Sequence, residues 1–190
     1  MESEIMSKDG IKIFNFSNET KEILDNIHNW SVEKIFDTNL SLIDKLYIVL
    51  REDFIDKHTL YDFGCRCVET VMDNLGIVDN ESVQVITANR LWNHRKISEA
   101  EFNTAAHNAW VVLRNFYLDA KLRNISESDL NLIRSLAYQT LNCDPHKASF
   151  GVIQEIYNTI NQQSDISNIL KLYQAIIDVS CEFLEAMRAA

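Results

Sequence analysis

The sequence predicts an all-α protein: a single-domain antiparallel multi-helix bundle of stacked helical hairpins with a short extended N-terminal arm. Three observations lead there. The 190 residues include one Pro and four Gly, against roughly 5% and 7% in average usage, so the turn residues that sandwiches, barrels and doubly wound sheets need are missing. Apolar residues make up 46% of the chain, enough for a sizeable core. They recur mainly three and four positions apart, which collects them on one side of a helix. The length suits one compact domain. No Gly/Ser/Pro tract marks a linker, and no period of 20–50 residues recurs. The expected division is an extended arm over 1–16 and a single helical domain over 17–190.

Residues 11–16, IKIFNF, alternate apolar and polar over too short a span for a sheet and read as the arm or a lone edge strand. Ser17 is placed to cap a helix reaching about residue 28, with Ile23, Leu24 and Ile27 inward, and Ser31 to cap a short turn after it. Another helix is expected over about 40–52. Leu60, Phe63, Cys67, Val71 and Leu75 form the stripe of a longer helix, closed by Gly76 in a left-handed cap. Val83, Ile86, Leu91 and Trp92 mark a helix over about 81–94, after the turn Asp79-Asn80. Ser98-Glu99-Ala100-Glu101 is a capping box, and Phe102, Ala105, Ala109, Leu113, Phe116 and Ala120 continue the stripe behind it.

Ser126 with Asp129 opens the next helix, lined by Leu130, Ile133, Ala137 and Leu141. Asp144-Pro145 reads as N-cap followed by first helical residue, where the missing N–H costs nothing, with Val152, Ile153, Ile156 and Ile160 inward. Ser164 or Asp165 caps a final helix lined by Ile166, Ile169, Tyr173, Ile176, Ser180, Leu184 and Met187. Gly64 and Gly151 fall inside helical patterns, where a close neighbouring helix is the expected reason.

Charge narrows the function. Eighteen Lys+Arg against 28 Asp+Glu give a net charge of −10, which argues against a general nucleic-acid binder and for a basic partner or simple solubility. The acid is concentrated at the two ends: residues 1–62 carry 13 acids and 7 bases, residues 126–190 carry 8 and 4, and the middle is balanced. The four glycines are too far apart for a phosphate or dinucleotide loop. No apolar run is long enough for a membrane span, and the start lacks the plan of a signal peptide, so the cytoplasm is the expected location. Four cysteines then read as free thiols. Cys65 and Cys67 lie two apart, about 200° around a helix, and cannot chelate one ion without breaking it. No metal or other cofactor is expected.

Several constellations admit both a functional and an ordinary reading. His107, Trp110 and Arg114 share nearly one helix face and can line a pocket. Equally, the indole can pack, the guanidinium pair with a carboxylate and the imidazole bond a backbone carbonyl. Arg134 and Tyr138, one turn apart, pose the same choice. Arg90, Arg95 and Lys96 sit near a helix end, where the dipole favours cations without any ligand. Asp178, Glu182 and Glu185 form an acidic stripe on the last helix, either a docking surface for a basic protein or a solvated outer face. Glu52, Asp53 and Asp56 offer a second acidic turn. Arg51-x6-His58 resembles the R-x4-6-H signature of the all-helical HEPN ribonucleases, in which His acts as general base and Arg stabilises the phosphorane. Here three acids stand between the two residues, and they repel RNA phosphate.

A family resemblance covers roughly residues 60–160. DFGCRCVETVMDNL at 62–75 resembles the F-A-x-x-C-A-E-x-V-L opening of a helical immunity-protein family encoded beside bacterial polymorphic toxins. VQVITANRLWNHRKISEAEFNTAAHNAWVVLR follows that family's layout of a helix, a polar turn, a capping S-x-x-E and an alanine-rich helix. IRSLAYQTLNCDPHKASFGVIQEIY resembles its next segment through Arg134, Ala137, His146 and Tyr157. The chain departs by carrying fewer alanines, by Gly64 and Val68 where the family has Ala, and by extra helices at both ends. The resemblance implies a non-enzymatic, antitoxin-like protein that blocks a co-encoded toxin by direct binding. The candidate pocket or family-like positions in this chain are Arg66, His107, Trp110, Arg114, Arg134 and His146, and the acidic stripe Asp178, Glu182 and Glu185, read from its helical spacing, is the candidate partner-binding surface. A helical scaffold or regulatory adaptor is the alternative, followed by a HEPN-type ribonuclease using Arg51 and His58.

Overall fold

Small polar side chains set where the chain turns helical. Ser17, Ser31 and Ser41 each accept a hydrogen bond from the backbone N–H three residues on, which satisfies a donor that a helix start leaves unpaired. They open α1 (Asn18–Asp25), α2 (Val32–Phe36) and α3 (Leu42–Val49). Asp56 does the same with two N–H groups, those of His58 and Thr59, and opens α4 (Lys57–Leu75). The Thr59 hydroxyl also donates to Asp56; that bond, with the two backbone donors, holds the Asp56 carboxyl below the usual range. Asp79 caps α5 (Asn80–Asn93). The capping box forms as expected: Ser98 N donates to Glu101 Oε2 at 2.7 Å, and Glu101 N to Ser98 Oγ at 3.3 Å. It opens α6 (Glu99–Arg123). The remaining helices are α7 (Ser128–Gln139), α8 (Pro145–Gln162) and α9 (Ile166–Ala189).

This computed structural model describes residues 17–27, 30–123, 128–142, 144–162 and 166–189. Among them nine helices form and no strand occurs, so the protein is an all-α helical bundle. The arm expected over 1–16 and the caps expected at Ser126, Ser164 and Asp165 lie outside the described residues.

The long helix α4 is the centre of the bundle and packs against α5, α7, α8 and α9. That explains how Cys65 and Cys67 are both buried although they point in nearly opposite directions, while Arg66 between them stays exposed. Burial pushes the Cys65 thiol up to about 12 and raises that of Cys67 further. Both are inert core thiols at neutral pH. Helix α6 lies on α5 and α7, and α2 bridges α3 and α9. Leu60, Phe63, Val71, Ile133, Ala137, Val152, Ile153, Ile156, Ile176, Ser180 and Leu184 are buried, as their periodicity predicts. Trp92 stacks on Phe102 at 4.4 Å and meets Tyr61 edge-on at 5.6 Å, tying α4, α5 and α6 together.

Three sequence expectations need correction. The third helix runs over Leu42–Val49 rather than 40–52, because Ser41 supplies the cap. Within α5, Val85 and Ile86 face inward, whereas Val83 and Leu91 lie on its exposed side. The two helical glycines also differ. A Cβ on Gly64 would come within 2.3 Å of the Ala148 carbonyl oxygen, so the α4–α8 crossing requires the glycine, but one on Gly151 would meet only the Gln139 side chain at 3.6 Å. Gly76 has φ +64° and closes α4 in the left-handed region that an L side chain adopts only at a cost.

Candidate functional site

The candidate residues divide into groups that hold the bundle together and groups that face outward. Arg134 belongs to the first. Helix α7 carries it against the start of α5, where it donates to Asp79 through Nε at 3.1 and 3.2 Å and through Nη2 at 2.8 Å. Glu81 stands at the rim, 3.4 Å from Nη2. Asp79 also accepts from Ser82 N at 3.0 Å and Ser82 Oγ at 2.7 Å. Burial disfavours ionising Asp79, but the bonds from Arg134 and Ser82 outweigh it and hold the carboxyl below its ordinary range. A bidentate fork of this kind fixes geometry as well as charge.

His146 stands at the start of α8, where Asp144 Oδ1 accepts from its backbone N–H at 3.0 Å. Its ring lies parallel to Phe150 and edge-on to Tyr47 of α3, with centroids 5.5 and 5.0 Å away. Nδ1 is 2.7 Å from the Leu50 carbonyl oxygen. An oxygen acceptor there requires a proton on Nδ1. Burial lowers the affinity of the ring for a second proton. Arg51 packs its guanidinium 5.0 Å from the centroid of Tyr47.

His58, the other half of the expected Arg–His pair, has different neighbours. Asn93 Oδ1 lies 2.5 Å from its Nδ1, and Asn93 Nδ2 donates to its carbonyl at 2.8 Å. Asp62 completes this group by accepting from Asn93 at 3.4 Å and facing His94 Nε2 at 3.6 Å. Arg51 thus contacts the aromatic group at α3 and α8, and His58 the amide group at α4 and α5. Arg90 is held by Glu69 through two hydrogen bonds of 2.5 and 2.8 Å. Structural pairing therefore accounts for a cation that the sequence placed near a helix end.

Outward groups come from α4, α6 and α9. His107 is exposed and borders a cleft of about 300 Å³ with Tyr138, Gln139 and Asn142. The side chains of Trp110, Arg114 and Tyr157 lie outside the described residues. Asp178, Glu182 and Glu185 are all exposed along α9. Glu182 accepts from Arg66 Nη2 at 2.5 Å, and Asp178 from Gln174 Nε2 at 2.9 Å. The acidic stripe therefore meets α4 at Arg66. With the nearby carboxylates Asp178 and Glu185 adding to burial, the Cys181 thiol is raised above its ordinary range.

Sequence reasoning missed the Asp79 fork and the Tyr47–His146–Phe150 cluster. The only signal was the residue types themselves, because the partners stand far apart in the chain. Among the described residues, no group of three or more His, Cys, Asp or Glu is placed to hold a metal ion, and no helix is long and apolar enough to cross a membrane. No known protein family, characterised protein or solved structure matches the chain.

Proposed function

We propose that this protein is a non-enzymatic immunity protein of the cytoplasm, which neutralises a co-encoded bacterial toxin or effector domain by binding it directly through an acidic face. The observation that carries this reading is the row of exposed carboxylates Asp178, Glu182 and Glu185 on α9, on a chain whose net charge is −10. Two family-like positions, Arg134 and His146, are engaged inside the bundle, which leaves recognition to outward groups. Like-signed carboxylates in a row steer a basic partner into register, raising the association rate and rejecting acidic competitors. Tight neutralisation also needs a few apolar or aromatic anchors within the acidic rim.

Co-expression tests the reading. Cells making the toxic product of the neighbouring gene are expected to survive when this chain is present and to die when it is absent. Death in both cases would remove the proposal. Capture of other partners without protection would favour a scaffold or adaptor.

A further inference from the structure

Val78, Val83 and Leu91 are the exposed large apolar side chains among the described residues, and all three belong to α5 or to the turn that leads into it. Helix α5 packs inward on α4, α6 and α7, so these side chains mark its outer side. Val83 and Leu91 stand four residues before and after Thr87, and the three share one ridge of the helix. The Thr87 hydroxyl donates to Val83 O at 2.7 Å, so its hydrogen is used within the helix and needs no partner outside. The ridge therefore reads the same from either end: apolar, short, apolar. Charge along α5 does not. Exposed Glu81 stands at its start, and exposed His94, Arg95 and Lys96 follow its end. Arg95 has φ 56°, the left-handed position that Gly76 fills after α4, so a cation ends α5 at a backbone cost that glycine avoids.

We propose that the outer ridge of α5 is a self-association surface, on which a second copy of the chain docks with its own α5 antiparallel and the two-fold axis at Thr87. A two-fold contact presents one patch to itself, turned by half a revolution. Its shape must then be symmetric about the axis and its charge opposite at the two ends, and α5 meets both conditions. Val83 of each copy faces Leu91 of the other, and Thr87 faces Thr87. The same count sets Val78 opposite Lys96, whose methylene stem covers an apolar side chain while its ammonium stays wet. Glu81 of each copy comes to the end of the other helix that carries His94, Arg95 and Lys96. The acids that follow, Glu99 and Glu101, open α6, where Ser98 holds Glu101. The 14 residues of α5 span about 21 Å at 1.5 Å per residue. One ridge of that length supplies less than the roughly 800 Å² per partner of a standard interface, so the dimer is a reversible one. It uses none of the α9 carboxylates and does not depend on a toxin.

Sedimentation equilibrium of the full chain tests this, over about 10 µM to 1 mM protein, the range of a weak contact. Salt of about 0.15 M screens the repulsion between two acidic chains beyond about 8 Å. The average mass is expected to rise with concentration from 22.0 kDa towards twice that value. Thr87→Glu sets two carboxylates together on the axis and should weaken association by about tenfold or more. Glu81→Lys and Arg95→Glu should each weaken it, and the two changes together should restore it. Within one chain these positions lie about 21 Å apart along the helix, beyond the screening length, so rescue can only come from a neighbouring copy. A chain that stays monomeric throughout, a dimer that tolerates Thr87→Glu, or a double swap that associates no better than either single one would each overturn the proposal. Should Thr87→Glu not fold, Leu91→Gln takes its place with a loss of association expected, and a dimer that tolerates it overturns the proposal equally.

Discussion

Arg134 and Asp79 show what a single pair contributes. Their side chains retain only 16% and 5% of their exposure, so removing one partner leaves the other charged and poorly solvated. Arg134→Ala should therefore lower stability by about 3 kcal/mol, the low end for a broken buried pair because the guanidinium edge is still wet. Urea denaturation measures this, as a lower midpoint at constant slope. The pair also predicts a pH effect. Asp79 has a lowered carboxyl affinity in the folded state, so its contribution is present above about pH 4, the ordinary aspartate value, and is lost as pH falls below it. Asp79→Asn should flatten the wild-type loss of stability in that range. Local caps were legible at this scale: Ser17, Ser31 and the Ser98–Glu101 box bond within three residues of themselves, where sequence spacing is spatial spacing. The partner of Asp79 was not legible, because it is 55 positions away and no local pattern records which helices will meet.

Helices and their crossings set the next scale. Helix α4 is straddled by four others, and its approach to α8 is so close that Gly64 has no room for a methyl group. Gly64→Ala places a Cβ against backbone, which cannot rotate away, and should cost about 1–3 kcal/mol or more. Gly151→Ala, with only a flexible side chain nearby, should instead raise stability by about 0.5–1 kcal/mol through reduced backbone freedom of the unfolded chain. Thermal unfolding of the two variants checks the contrast, which fails if both move in one direction. The sequence pattern placed both glycines inside helices and suggested one reason for both. Only the crossing distinguishes them, since a helical period reveals which side of a helix is apolar and not how near the next backbone comes. The same limit applies to α5. Its spacing marked Val83 and Ile86 together, yet Ile86 is buried and Val83 is 39% exposed, because α5 packs against α4, α6 and α7 and Val83 falls on the side those helices leave open.

For the whole molecule the balance of charge is the governing property. A net −10 gives the chain a long-range negative field, on which the proposed recognition of a basic partner relies. The fold class was legible from the poverty of Gly and Pro and from the apolar period. The candidate face was legible in part, as three acids on one side of the last helix, but the engagement of Glu182 with Arg66 joins residues 116 positions apart and required the assembled bundle. That pair is solvent-exposed, so reversing Glu182 should disturb folding little. Neutralisation of a basic toxin by this face is tested most directly by the association rate of the purified chain with the neighbouring gene's product, measured at about 0.01 M and 0.15 M salt, where the screening length falls from about 30 to 8 Å. The wild-type rate is expected to drop steeply with added salt, and the variant carrying Asp178→Lys, Glu182→Lys and Glu185→Lys to associate at least tenfold more slowly at low salt. A partner that binds wild type and variant at the same rate, indifferent to salt, or does not bind at all, would contradict it.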